Sequence, residues 1–430
     1  MKRSSHLYIQ FVVVLVTSMM LSSCNWFEHD GRNAHRTVLV YMMAENSLSY
    51  SDLQEDDIRE MEECIGSLSD DDHVLVYVDD EDLPRLMEIR ADKKGRTRKI
   101  IQEWADDLNS CDPVVLRQVL KTVFDKYPSQ GYGLILWSHG SAWLPATKAM
   151  PRRNIGVEDN ESEAFSESET PCQRSIGIDN DHNTYSNNGY KMDIAELAQA
   201  LAGFPKLDFL MFDACFMQSV EVAYELRHEA EYIISSPAEI PNPGAPYNLL
   251  IPAMMSKKTT FAEEMVQAYY DGYVGSDVPS ISSGEGYGVL LSVIDCSQMD
   301  ELQRVTEQMV AKYGSKYVDR GLDDVLHYYP LSSSNFPEFF DMKAYMHHLI
   351  SSADDWTAWL AVYEQAVPKR LCTNFWFSSY IGGYLYVDDV DEYGGVSMYV
   401  PEPGNYFKTK NEWFCNTSWY PVSGWPQCGW

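Results

Sequence analysis

The sequence predicts an α/β fold, a three-layer α/β/α sandwich around a mostly parallel sheet, with a less regular C-terminal part. Three observations carry this. Five short, continuously apolar runs recur between residues 37 and 236, and strands of that kind are buried on both faces of a sheet. Segments with helical spacing separate them, so strand and helix alternate as in a sheet built by crossover connections. The chain has 430 residues, 45 % apolar and 13 % aromatic, which is enough for a large core.

The elements follow in order. Thr37 to Glu45 (TVLVYMMAE) is a β-branched apolar strand. Ser51-Asp52-Leu53-Gln54 has capping-box spacing, and Leu53, Ile58, Met61 and Ile65 give the next helix one apolar face before Gly66 stops it. His73 to Asp80 (HVLVYVDD) is a second strand, and Asp112-Pro113 opens a helix through Val115, Leu116, Val119, Leu120 and Phe124. Tyr132 to Trp137 (YGLILW) is the third strand. Residues 144–189 are polar, acidic in the middle and bordered by Lys148, Arg152, Arg153 and Arg174; an insert of that length is either functional or disordered. A short helix, Asp193 to Leu201, precedes the fourth strand, Lys206 to Phe212. A helix through FMQSVEVAYELR then leads to the fifth, Glu231 to Ser236. Beyond these, Thr260 caps a helix, Tyr287 to Asp295 is a strand, and Met299 to Tyr313 is a helix. Residues 330–430 mix helix, a Gly-Gly-containing strand and a Trp-rich tail.

Residues 1–24 stand apart from the fold. Lys2 and Arg3 precede a mostly apolar run from Leu7 to Leu21, and Leu21-Ser22-Ser23-Cys24 follows. This segment resembles the lipobox of bacterial lipoproteins, which makes Cys24 a lipidation site and residues 25–36 a polar tether; a conventional signal peptide with an incidental cysteine is the alternative. The expected location is therefore outside the cytoplasm, lipid-anchored in the bacterial cell envelope. No later run is long and apolar enough to span a membrane. A net charge of −31 repels nucleic acid and anionic membrane surfaces. It suits a cationic substrate, cations held among carboxylates, or simple solubility. Eight cysteines follow Cys24 at wide, irregular spacing without a CxxC pair, so neither a zinc site nor a disulfide scaffold is indicated. Cys415 and Cys428 are the one pair expected to bridge.

In an open parallel sheet, chemistry collects at the carboxyl ends of the strands. The third strand ends in Ser138-His139-Gly140 and the fourth in Asp213-Ala214-Cys215, and crossover rules place these strands side by side. A thiol needs help to become a nucleophile near neutral pH. Cys215 precedes a helix, whose dipole would favour the thiolate, and His139 would serve as general acid/base. The N–H groups of Gly140 and Cys215 would form an oxyanion hole, glycine leaving room for close approach to a substrate.

These residues resemble the clostripain family of cysteine peptidases. The likeness runs in order through TVLVYMMAENSLSYSDLQEDDIREME, GYGLILWSHGSAW, MDIAELAQAL and LDFLMFDACFMQSVEVAYELR, and covers Thr37 to about Tyr247. It implies a caspase-like fold with a peptidase core at 37–250, completed by 251–430. It also implies Cys215 as nucleophile, His139 as its partner, and Asp213 in an S1 pocket for Arg or Lys at P1, where the alternative is that Asp213 caps the next helix or bonds loop amides. Glu239 is the only carboxylate near the later SSPAEIPNPGAPY loop, where relatives often carry a further acidic residue. Some relatives process themselves between histidine and cysteine, which makes Arg174 and Lys148 candidate cut sites; a solvated acidic loop reads equally well. Several use calcium, but Asp179 to Asn183 fails as an EF-hand because Thr184 and Tyr190 stand where glycine and glutamate are needed. No cofactor is needed for the chemistry, and calcium stays open. The expectation is a monomeric, exported cysteine endopeptidase with polypeptide substrates. The rival is a catalytically silent surface lipoprotein of the same fold that binds peptides or glycans.

Overall fold

The computed structural model describes residues 34–430 apart from 70, 92, 96, 145–174, 181–188, 275–285, 316–320, 329–338, 380–381 and 405–406. Its strands in chain order are β1 (Ala34–Met43), β2 (Asp72–Asp79), β3 (Arg85–Ile89), β4 (Arg98–Glu103), β5 (Ser129–Trp137) and β6 (Ser175–Asp179). They continue with β7 (Tyr190–Asp193), β8 (Leu207–Asp213), β9 (Ala230–Ser235), β10 (Leu290–Asp295), β11 (Phe340–Asp341) and β12 (Lys369–Cys372), followed by short strands at Phe375–Ser378, Gly383–Tyr386 and Ser397–Met398. A nine-stranded sheet has the order β12-β10-β9-β8-β5-β1-β2-β3-β4. The five central strands, β9 to β2 in that order, are mutually parallel. Both flanks are antiparallel.

The continuous apolar runs have their explanation in the two faces. Leu39, Tyr41, Leu134, Leu136, Leu210 and Phe212 belong to one core, while their neighbours Val38, Val40, Ile135, Phe209 and Met211 belong to the other. Successive side chains on a strand point to opposite faces, so a strand covered on both sides has no polar position to spare. The helices up to residue 313 are α1 (Leu53–Glu63), α2 (Pro113–Lys126), α3 (Ile194–Leu201), α4 (Val220–Leu226), α5 (Tyr247–Met254), α6 (Phe261–Asp271) and α7 (Met299–Tyr313), and three more follow at Met342–Leu349, Ala353–Ala366 and Lys408–Cys415. Apolar residues of α2, α3, α4 and α7 fill the first core, and those of α1, α5 and α6 the second. Truncating a residue of 0 % exposure such as Leu136 to alanine costs about 2–5 kcal/mol.

Local signals held unevenly. Asp112 caps α2 by accepting from the Val114 N–H at 2.8 Å. Asp193 and Glu196 form a reciprocal capping box on α3. The capping box read at Ser51 does not form. Ser49–Ser51 is a 3₁₀ turn instead, and Asp52 takes a left-handed conformation (φ 55°) with no side-chain cap. The Thr260 hydroxyl likewise turns to the Glu264 carboxylate, 3.2 Å away, and does not cap α6. β1 begins at Ala34, ahead of the apolar run, because Arg36 is anchored to Asp208 at 2.8 Å and to the Met254 carbonyl. Within the polar insert, β6 pairs antiparallel with β7. Cys415 and Cys428 are not bridged; Cys415 is an exposed thiol, and the Cys428 thiol donates to the Val310 carbonyl at 3.2 Å. The tail is secured by aromatic packing, with Trp419 against Tyr224 and Trp425 against Tyr345. Among the described residues no helix is long and apolar enough to cross a membrane.

Candidate active site

Strands β5 and β8 are neighbours with Trp137 opposite Asp213, so the residues after each strand leave the sheet at one edge. Ser138 fixes the first exit. Its hydroxyl donates to the Met43 carbonyl at 2.8 Å and accepts from the Asn46 amide and the Ile178 N–H, both at 3.2 Å. Gly140 then bridges to Ile176 of β6. A Cβ at Gly140 would lie 2.6 Å from the Cys215 carbonyl oxygen and 2.9 Å from the Met217 side chain. The glycine is thus required for close packing of the two exits, a role distinct from the expected approach to substrate.

The second exit is a loop from Ala214 to Ser219. It is stitched to the end of β9 by Phe216 N–H to the Ala238 carbonyl (2.9 Å) and Gln218 N–H to the Ser236 carbonyl (3.0 Å). Phe216, directly after Cys215, has φ 66°, a strained conformation for a bulky residue and one that clusters at functional sites. Helix α4 starts only at Val220, capped by Ser219. The expectation of dipole activation is therefore corrected, since that field fades beyond the first turn. Burial instead pushes the Cys215 thiol up to about 12, opposed by the Ile240 N–H, which donates to Sγ at 3.4 Å, and reinforced by Glu239 and Asp213. Burial also holds His139 down to about 4, with Lys191 adding to the effect. Both groups are neutral at pH 7. His139 Nε2 lies 3.0 Å from the Ser47 hydroxyl, and Nδ1 has no hydrogen-bond partner among the described residues. Neither Gly140 nor Cys215 donates its N–H to a backbone carbonyl among the described residues.

Two clefts meet at Cys215 and share His139, Glu239 and Ser379 in their walls. One, about 390 Å³, is also lined by Gly140, Ser141, Ser175 and Lys191. The other, about 230 Å³, has apolar walls (Leu48, Leu53, Trp137, Tyr287, Phe377) and the carboxylates of Asp213 and Glu239, with no Lys or Arg among the described residues. Asp213 does not cap a helix, but it does bond a loop amide, as the alternative reading expected. Its carboxylate accepts from Ala245 N–H (3.2 Å), the Tyr247 hydroxyl (3.0 Å) and the Tyr269 hydroxyl (3.4 Å). Asp57 of α1 lies beside it, held by the Trp137 indole N–H at 2.6 Å; a Cβ on Gly244 would meet both carboxylates at 3.4 Å. Burial raises both acids, Asp213 to about 6, and mutual repulsion raises Asp57 further. Glu239 Oε1 accepts from Ser379 N–H (3.0 Å) and Oγ (2.6 Å), while its buried Oε2 has no partner among the described residues.

Sequence reading had not singled out Asp57, Ser47, Lys191 or Ser379. Asp57 carried a usable signal, an acid four residues from both Leu53 and Met61 on the apolar stripe of α1. Cys24, Lys148 and Arg174 lie outside the described residues. Among the described residues, the one set of three metal-ligating side chains close enough to share an ion is Glu45, Asp79 and Asp107, and none of them lines either cleft.

The model of the clostripain family matches residues 40–171 and 161–375. The chain belongs to the clostripain family. It is a cysteine peptidase, and its fold is that of solved family members. A secreted C11 cysteine protease from Bacteroides thetaiotaomicron, solved with an irreversible peptide inhibitor, is 30 % identical with TM-score 0.74, covering 91 % of this chain and 99 % of its own. An inactive zymogen C11 protease from Parabacteroides distasonis is 26 % identical with TM-score 0.71 over the same shares. Clostripain of Hathewaya histolytica is 25 % identical over 164 residues, 37 % of this chain and 27 % of clostripain's length. The clostripain-family assignment makes a polypeptide the substrate.

Proposed function

We propose that the chain is an exported endopeptidase, tethered through lipid on Cys24, that cleaves on the carboxyl side of Arg or Lys with Cys215 as nucleophile and His139 as general acid/base. The observation that carries the P1 reading is the 230 Å³ cleft beside Cys215. Its apolar walls suit the methylene stem of a long basic side chain. Asp213 and the unpartnered Oε2 of Glu239 suit the charged head. The secreted relative from Bacteroides thetaiotaomicron supports export.

The chemistry starts from a neutral pair. His139 Nδ1 takes the thiol proton as Sγ attacks the scissile carbonyl, so thiolate forms only during attack. The N–H groups of Gly140 and Cys215 receive the oxyanion. The imidazolium returns its proton to the leaving amine, and water activated by the neutral imidazole hydrolyses the thioester.

Fluorogenic peptides with Arg, Lys, Ala or Asp at P1 test this with the chain from Asn25 onward. Cleavage after Arg and Lys that falls on the order of 10³-fold or more in both Cys215→Ala and His139→Ala supports the whole reading. Cleavage after other residues removes the P1 assignment and keeps the pair. Folded protein without thiol-dependent cleavage points to a silent binding lipoprotein.

A further inference from the structure

The larger cleft at Cys215 has no part in the P1 reading, and one of its walls carries a cation that the fold leaves without a counter-charge. Lys191 is the single Lys or Arg among the described residues that line it. It lies on β7 between Tyr190, which packs against the core, and Met192, which is buried within it. Alternation along a strand therefore turns Lys191 away from the core. The β6–β7 hairpin that carries it is stitched to the exit of β5. The Gly177 N–H donates to the His139 carbonyl at 2.9 Å, and the Ser141 N–H donates to the Ser175 carbonyl at 3.2 Å. Lys191 is thereby held in a fixed relation to the histidine.

Lys191 makes no hydrogen bond or ion pair with any described residue. Glu239, the one carboxylate in the same lining, is turned elsewhere: Ser379 takes one oxygen, and the other has no partner among the described residues. Half burial strips water from the ammonium and pulls its pKa below the ordinary value. A ligand that brings a negative charge into this cleft recovers what the ammonium has lost.

A peptide bound across a nucleophile needs room on both sides of the scissile bond. The 230 Å³ cleft receives the P1 side chain, with Asp213 and Glu239 for its charge. The 390 Å³ cleft, bordered by His139 and Gly140, then faces the segment that leaves, because His139 has to reach the departing amine. We propose that Lys191 is a specificity-determining residue for that segment, pairing with a carboxylate at P1′ or P2′, so that the preferred bond joins a basic residue to an acidic stretch. This rests on the reading of Cys215, His139 and P1 given above. Carboxylates on one side of Cys215 and an ammonium on the other read a charge pattern in one direction only. The same lysine repels Arg or Lys placed just after the bond, so paired basic residues are poor sites.

The test uses peptides with Arg at P1 and Asp, Asn or Lys at P1′ or P2′, each made with an amidated and with a free carboxyl terminus. Cleavage is measured with the chain from Asn25 onward. Binding is measured by fluorescence anisotropy on the same chain carrying Cys215→Ala, which needs no turnover. Asp is preferred over Asn about tenfold in kcat/KM and in affinity, and Lys is disfavoured. Lys191→Gln, checked as folded by circular dichroism, brings the Asp-to-Asn ratio to about one, and Lys191→Glu reverses the order of Asp and Lys. A preference that follows the free terminus and not the side chain, and is lost with Lys191, supports the pairing and makes the terminus its source. No charge preference, or one that survives in both Lys191 variants, overturns the proposal. Cleavage after Arg without that preference sinks Lys191 and leaves the peptidase reading standing. A Lys191-dependent preference in binding, with no cleavage by the active chain, sustains the pairing and sinks the Cys215 and His139 reading.

Discussion

Two buried acidic groups lie at the carboxyl edge of one sheet, and they differ in what surrounds them. Asp57 and Asp213, beneath the cleft beside Cys215, are ringed by donors: the Trp137 indole, two tyrosine hydroxyls and the Ala245 N–H. Asp79 has none among the described residues. A carboxylate with neutral donors can be left empty and receive a cation only while substrate is present, because hydrogen bonds partly replace its lost hydration. A carboxylate without donors needs a permanent counter-charge or a proton. The same residue type is thus fit to meet a charged visitor in one place, while burial and the neighbouring acids push the Asp79 carboxyl well above its ordinary range in the other, and the supporting donors make the difference.

Three experiments break or sharpen that contrast. The largest effect is expected of Asp213→Asn, which keeps the shape and removes the charge. The kcat/KM for Arg and Lys substrates falls about 100-fold while that for a P1 Ala substrate is unchanged; equal loss on all substrates would mean the residue only supports the loop. Next comes pH. Asp213 is pushed up to about 6 and must be ionised to attract a basic side chain, so KM for a P1 Arg peptide rises as pH falls through that value. His139, held down to about 4, stays neutral over the same range, so kcat persists to lower pH than KM does. A kcat limb near 6.5 would reject the buried, uncharged imidazole. The smallest effect is on stability. Asp79→Asn relieves like-charge crowding and raises Tm by about 1–2 °C at neutral pH, whereas Asp57→Ala, which removes the acceptor of the Trp137 indole, lowers it.

Much of this arrangement was legible. Continuous apolar runs announced β1, β2, β5, β8 and β9 because burial on both faces leaves no polar position. The adjacency of His139 and Cys215 followed from crossover geometry alone. The flanks were harder: β10 reads like the central strands, yet it pairs antiparallel with β9, a choice set by the connection and not by its own residues. At the site, Ser379 reaches Glu239 from 140 positions away, a contact with no local trace. The Ser51 box failed because a 3₁₀ turn brought Asp52 into a left-handed conformation first. The dipole argument failed because it counted Cys215 as adjacent to a helix that starts at Val220.

The unbridged tail has a practical consequence. Cys64, Cys111 and Cys296 are sealed in the core, but the Cys415 thiol faces solvent. A thiol-directed reagent used to count working enzyme molecules would react there as well as at Cys215. Labelling stoichiometry therefore overstates the competent fraction until Cys415→Ser is introduced. A peptide-based warhead that depends on cleft binding avoids the error.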